Sequence, residues 1–172
     1  MKEPQDYLQI NLLGADEQRR RLSRIYDGMD HYDIDCALIR DNANIYYLTG
    51  RVFRGYIYID RRGPGPFYFV RQPSTLRADR PDTVFHIRKP EEIREHLDKI
   101  GVRPSANIAL ELDNISSSAA TRLAGAFGMT APSLNISPIL RQARAVKTPA
   151  EQEKLIRSGQ KHTYVYSRIP HQ

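Results

Sequence analysis

"NANIYYLTG", residues 42–50, is the stretch whose reading decides the fold. Ile45, Tyr46, Tyr47 and Leu48 have the β-branched, aromatic and apolar character of strand or core material. The Asn-Ala-Asn that opens the stretch and the Gly50 that closes it are turn chemistry. The expectation is a short element between two turns. Its tyrosine pair then either packs as core or is presented to a substrate or a second subunit.

Immediately upstream, "IDCALIR" (34–40) is a short apolar run bounded by charge, which predicts a buried strand. Before it, residues 16–30 place Leu22, Ile25, Tyr26 and Met29 on one face of an amphipathic helix. Asp16 and Glu17 lie in its first turn, where carboxylates favour the positive end of the helix dipole. "RRRLSR", Arg19 to Arg24, falls inside this helix. It is expected as a solvated face, with a patch for nucleic acid or an acidic partner as the alternative.

Downstream, "GYIYID" (55–60) and "GPFYFV" (65–70) flank "RRGPG", the Gly/Pro turn of a β-hairpin. "TVFHI" (83–87) predicts another strand, and Pro90 opens a helix that Gly101 stops. Then follow a strand at "NIALEL" (107–112), a serine-capped helix at 116–128 and a last strand at "SLNISPI" (133–139). The alternation predicts an α/β domain: a mixed, ribonuclease H-like sheet flanked by helices.

At the far end, Thr148, Pro149 and Glu151 have the spacing of a capping box with proline at the first helical position. Leu155, Ile156, His162, Tyr166 and Ile169 are its candidate inward residues. Such a helix after a complete α/β domain is expected to begin a second domain that lies beyond this chain.

The composition bounds the function. The chain has 172 residues, 40% hydrophobic and 27% charged, which suits a globular domain with a real core. No apolar run approaches the length of a membrane span, and "MKEPQDYLQINLLG" lacks an apolar secretory segment. With Cys36 as its single cysteine the chain suits a reducing compartment, so a cytoplasmic location is expected. The net charge of +6 raises the question of nucleic acid, but most of the excess is arginine spread along the chain, which makes such a partner an unfavoured expectation.

Candidate chemistry is sparse. "DGMDHYDID" (27–35) gathers four aspartates and His31, but the glycine precedes most of the acids and a calcium loop needs it at the centre. The reading preferred is a helix end and strand entry with solvated acids. Cys36 sits in an apolar run and is expected as a buried small residue. Prolines in "RRGPGP" remove backbone donors that a phosphate loop requires. A nuclease would need converging carboxylates, for which Asp41, Asp60, Glu111 and Asp113 are the candidates. No catalytic or metal-binding centre is expected within the chain.

"DIDCALIRDNANIYYLTG" resembles the start of the creatinase/prolidase N-terminal domain, with Asn44 to Gly50 matching that family's segment position by position. "RQARAVKTPAEQEKLIRSGQ" resembles the family's linker, Arg144, Lys147 and Glu151 occupying its Arg, Lys and Glu places. The two motifs bracket the chain from about residue 16 to residue 170. One departure is that Arg51 and Val52 precede Phe53, where the family places an aromatic directly after the glycine.

The resemblance implies an N-terminal segment (1–15), a creatinase/prolidase N-terminal-like α/β domain (16–143), and a linker with the first helix of a truncated catalytic domain (144–172). It implies the non-catalytic part of an Xaa-Pro aminopeptidase or dipeptidase that supports homodimerisation and restricts access to the partner subunit's active site. Tyr46, Tyr47, Arg51, Phe53 and Arg54 would be the residues of substrate access or subunit contact. Short proline-containing peptides would be the substrates, and two divalent metal ions would belong to the catalytic domain of the same parent chain. The alternative is a catalytically inactive module that binds peptides or acidic partners, histones or nucleic acid.

Overall fold

The structure is a computed structural model that describes residues 9–77, 81–105, 108–132 and 134–169. Helix α1 spans Ala15–His31 and buries Leu22, Ile25 and Met29, so the helical period read from the sequence holds. Strand β1 (Cys36–Ile39) is buried along its whole length. Helix α2 follows at Asn42–Thr49. Strands β2 (Gly55–Asp60) and β3 (Phe67–Arg71) form the expected hairpin. In its turn, the Asp60 carboxylate accepts the Arg62 and Gly63 amides, each at 2.9 Å.

A 3-10 turn at Pro81–Thr83 leads into β4 (Val84–Ile87). Helix α3 (Glu92–Lys99), β5 (Ile108–Leu110) and α4 (Ser117–Ala126) come next, the last capped by the Ser116 side chain on the Ala119 amide. Strand β6 is only Leu134–Asn135, and helices α5 (Ser137–Ala145) and α6 (Pro149–Tyr166) complete the chain.

The six strands form one sheet in the order β4-β3-β2-β1-β5-β6. β1, β2 and β3 pair antiparallel, while β3–β4, β1–β5 and β5–β6 are parallel, so the sheet is mixed as expected. Side chains alternate across it. Ala37, Ile39, Ile57, Ile59, Tyr68 and Val70 share one core with α1, α2 and α5. Cys36, Leu38, Tyr58, Phe67, Phe69 and Leu110 share a second with α3 and α4. With both faces buried, a one-residue slip would exchange the two sets, which fixes the register.

Two expectations are corrected. "NANIYYLTG" is not a strand-like piece between turns but eight residues of helix. Asp41, one residue before it, caps the helix through its side chain, and Gly50 ends it with φ +71°. The strand expected over 133–139 shrinks to two residues, and residue 133 lies outside the described residues. The Asn135 side chain accepts the Ser137 amide, so this turn launches α5, where Pro138 occupies an early position that needs no amide donor. None of the described residues of α6 is buried, and Leu155, Ile156, Tyr166 and Ile169, the candidate inward residues, are exposed in this chain.

Segment 9–13 joins the fold along its edge. Ile10 is fully buried, its amide donating to Arg77 O at 2.6 Å, and the Leu12 amide donates to Thr49 O at 2.6 Å.

Candidate functional site

Two consecutive tyrosines on a helix point about 100° apart, and burial separates this pair accordingly. Tyr46 is 54% exposed and Tyr47 only 4%. The Tyr47 hydroxyl donates to the Ala143 carbonyl of α5 at 3.1 Å. Burial pushes its pKa up, and the nearby Glu151 carboxylate adds to the shift. Placing such an aromatic in the core contributes about 2 kcal/mol from area alone.

Beneath Tyr47 lies Arg21, which is 4% exposed. This corrects the solvated-face reading of "RRRLSR": Arg19 and Arg20 are exposed, but the third arginine points inward. Its Nε donates to Glu17 Oε1 at 2.8 Å, and one terminal nitrogen donates to the Tyr47 carbonyl at 2.5 Å. The other terminal nitrogen lies 3.7 Å from Glu151 Oε1. Thr148 Oγ1 donates to Glu17 Oε1 at 2.6 Å while accepting the Glu151 amide at 3.2 Å. Glu151 Oε2 in return accepts the Thr148 amide at 2.9 Å, so the capping box predicted from sequence is complete. Burial opposes ionisation of Glu17, but the Thr148 and Arg21 hydrogen bonds outweigh it and hold the carboxyl below its usual range.

A second chain of contacts starts at Glu111, 3% exposed just after β5. Its Oε2 accepts the Arg40 and Asp41 amides at 2.5 and 2.6 Å, and its Oε1 accepts the Asn44 side-chain amide. Asn44 Oδ1 in turn accepts from Arg144 at 2.9 Å. Desolvation pushes the Glu111 pKa up despite these three donors. Glu111 therefore anchors the start of α2 rather than serving a nuclease centre.

The fold brings the two sequence motifs together. Tyr46 and Tyr47 from the first, and Arg144, Lys147 and Glu151 from the second, line one groove of about 390 Å³ between α2 and α6. Ala43 and Gly50 also line it, as do Arg21, Lys154, Leu13 and Leu155, and none of these last four was singled out as a site residue from sequence. Arg54 lies elsewhere, in a cleft of about 220 Å³ that it shares with Arg40 and Arg71. Phe53 reaches that cleft too but is 5% exposed and packs edge-on against Tyr68, with ring centroids 6.5 Å apart. The Arg51 amide donates to Thr49 Oγ1 at 3.1 Å beside Gly50.

Other constellations resolve into structural contacts. Asp30, Asp33 and Asp35 gather around Arg61, with Asp35 at 2.9 Å and Asp33 at 3.8 Å. Asp113 pairs with Arg141, and Asp41 caps α2. Cys36 is fully buried, and burial pushes its thiol up to about 11, far from a reactive thiolate at neutral pH. Among the described residues no group of three or more His, Cys, Asp or Glu converges to hold a metal ion, and no helix is long and apolar enough to cross a membrane.

Comparison with known proteins agrees with this architecture. The family described as "Creatinase/Prolidase N-terminal domain" matches residues 21–146. No curated protein sequence matches. The fold is similar to an Xaa-Pro dipeptidase from Bacillus anthracis, with TM-score 0.60 and 14% identity over 79% of this chain and 38% of that one. It is similar to the prolidase of Pyrococcus furiosus, with TM-score 0.57 and 23% identity over 77% of this chain and 40% of that one. The N-terminal domain of the cytoplasmic peptidase PepQ from Mycobacterium tuberculosis matches with TM-score 0.57 and 18% identity over 73% of this chain, and there 98% of the other chain is covered. The chain thus spans well under half the length of the first two, and at these identities the likeness concerns the fold.

Proposed function

The chain belongs to the creatinase/prolidase N-terminal domain family, and from that membership we propose that it is the non-catalytic domain of an Xaa-Pro aminopeptidase or dipeptidase. In this reading it works in the cytoplasm as part of a homodimer. It narrows access to the active site of the partner subunit, so that only short proline-containing peptides enter. The two divalent metal ions belong to a catalytic domain of the same parent chain, into which residues 144–172 lead.

The observation that carries the reading is the arginine cleft. Arg40, Arg54 and Arg71 converge from the ends of β1, β2 and β3, and among the described residues no carboxylate lines the space between them. Guanidinium groups left in that state suit a carboxylate, which they bind in forked geometry better than lysine can. A short peptide carries such a carboxylate at its C-terminus. Exposed Tyr46, Val52 and Arg54 would form the rim presented to the neighbouring subunit.

Two measurements test this reading. The 172-residue chain, incubated with Mn²⁺ and Ala-Pro, is expected to release no proline above the metal blank. Metal-dependent release would overturn the non-catalytic assignment. In the protein that carries both domains, Arg54→Glu is expected to raise KM for Ala-Pro about tenfold with little change in kcat, the pattern of lost ground-state binding. An unchanged KM would remove the arginine cleft from the reading. The same arginines give a second reading, a binder of acidic partners, some support. Complete loss of enzymatic function in that two-domain protein, together with salt-sensitive partner binding, would favour it.

A further inference from the structure

The groove between α2 and α6 is distinct from the arginine cleft, and of its lining the function proposed above uses only Tyr46, as rim, and the linker segment, as a connection. Four cationic side chains line it, Arg21, Arg144, Lys147 and Lys154; Arg21 is already paired with Glu17 at 2.8 Å, and the one carboxylate in the lining is Glu151. That carboxylate is already committed to the Thr148 amide and faces Arg21. Among the described residues, Arg144, Lys147 and Lys154 have no carboxylate partner: Arg144 donates to Asn44, and Lys147 to the main chain of Arg144. One wall is cationic, then, and among the described residues no carboxylate balances the charge of Arg144, Lys147 and Lys154.

The opposite character comes from Leu13, Tyr46 and Leu155, which give the same groove an apolar wall. Tyr46 and Leu155 are large and exposed, 54% and 55%, so in this chain both are open to a ligand. A volume of about 390 Å³ lies within the range of small-molecule sites, which combine apolar walls with a few convergent polar groups. Buried Arg21 holds the Tyr47 carbonyl and faces Glu151, which keeps the two helices in register at the floor of the groove.

We infer that this groove is a binding site for a small organic anion, a carboxylate or phosphate group carried on a compact aromatic or aliphatic body. The anionic group sits beside Lys147 and Lys154, and the body lies against Tyr46 and Leu155. The ligand bridges α2 and α6, so binding also restrains α6 against the domain.

Amide chemical shifts of the ¹⁵N-labelled chain, titrated with phenylacetate, phenyl phosphate and neutral phenylacetamide, test the inference. Saturable shifts at Tyr46, Gly50, Lys147 and Lys154 with at least one of the anions, and none with the amide, are expected. Saturation by phenyl phosphate alone assigns the site to phosphate esters, and saturation by phenylacetate alone to carboxylates. Lys147→Glu and Lys154→Glu, both at exposed positions, are each expected to weaken binding at least about tenfold while leaving the rest of the spectrum unchanged. Absence of saturation with both anions would overturn the inference. So would equal binding of the amide, or affinity unchanged in both variants. Neither variant touches the arginine cleft, so this result and the peptidase reading stand or fall separately.

Discussion

The guanidinium of Arg21 lies 4.7 Å above the ring centroid of Tyr47 while donating to that residue's own carbonyl. One buried cation thus grips a single residue of α2 by both its face and its backbone. Because Glu17 and Glu151 flank the same guanidinium, α1, α2 and the first turn of α6 share one charged centre.

Arg21→Ala should therefore be among the most damaging single changes. It leaves Glu17 without its ion-pair partner and the Tyr47 carbonyl without its side-chain donor. A loss of about 3 kcal/mol or more is expected, the scale of breaking a buried pair from one side. Urea denaturation gives the value, and a loss below about 1 kcal/mol would mean that the site is far wetter than its burial indicates.

Glu17 sets a pH dependence whose sign follows from its lowered pKa. The unfolded chain binds this proton more readily, so the carboxylate's contribution is fully present above the ordinary value of 4.5. It disappears as the pH falls below that value and through the lowered folded pKa. Glu17→Gln should flatten the acid limb of the stability profile and leave a smaller difference from wild type at low pH than at neutral pH.

Gly50 and Gly101 form a controlled pair. Both have positive φ, +71° and +76°, which costs an alanine roughly 1 kcal/mol. At Gly101 an added Cβ meets open space, but at Gly50 it would lie 3.2 Å from Leu13 Cδ2 and 3.4 Å from Leu12 Cβ. Gly50→Ala is expected to shift the thermal midpoint further than Gly101→Ala, and equal shifts would show that segment 9–13 yields freely.

Glu111→Ala removes the acceptor from two main-chain amides and the Asn44 side chain at once. Each buried donor left open costs about 1–3 kcal/mol. Hydrogen exchange offers a local readout: the Arg40 and Asp41 amides should exchange markedly faster. Unchanged protection there would show that the carboxylate does not secure the start of α2.

Periodicity made most of the framework legible. The helical face of Leu22, Ile25 and Met29, the apolar runs of β1, β2 and β3, and the Thr148–Glu151 box each encode their element locally. The opening motif was misjudged because Ile, Tyr and Thr favour strands and eight residues allow barely two helical turns. Its deciding cap, Asp41, sits one residue outside it. Helix α5 was lost because Pro138 reads as a breaker unless the turn before it is known to be a cap. The groove and the arginine cleft are assembled from residues far apart in the chain, so nothing local could announce them. Arg21 is the extreme case, since one arginine among four in "RRRLSR" turns inward where Glu17, a carbonyl of α2 and a carboxylate of α6 await it.

The bond from Thr148 to Glu17 also has a mechanical side. Helix α6 has 18 residues and is therefore about 27 Å long, a rod clamped at one end. A tilt of about 10° at the clamp carries its far tip through about 5 Å, given that length. Whatever α6 carries is steered by a fulcrum of two side chains, so that a change of a few tenths of an ångström inside the domain becomes a displacement the size of a residue at its outer end.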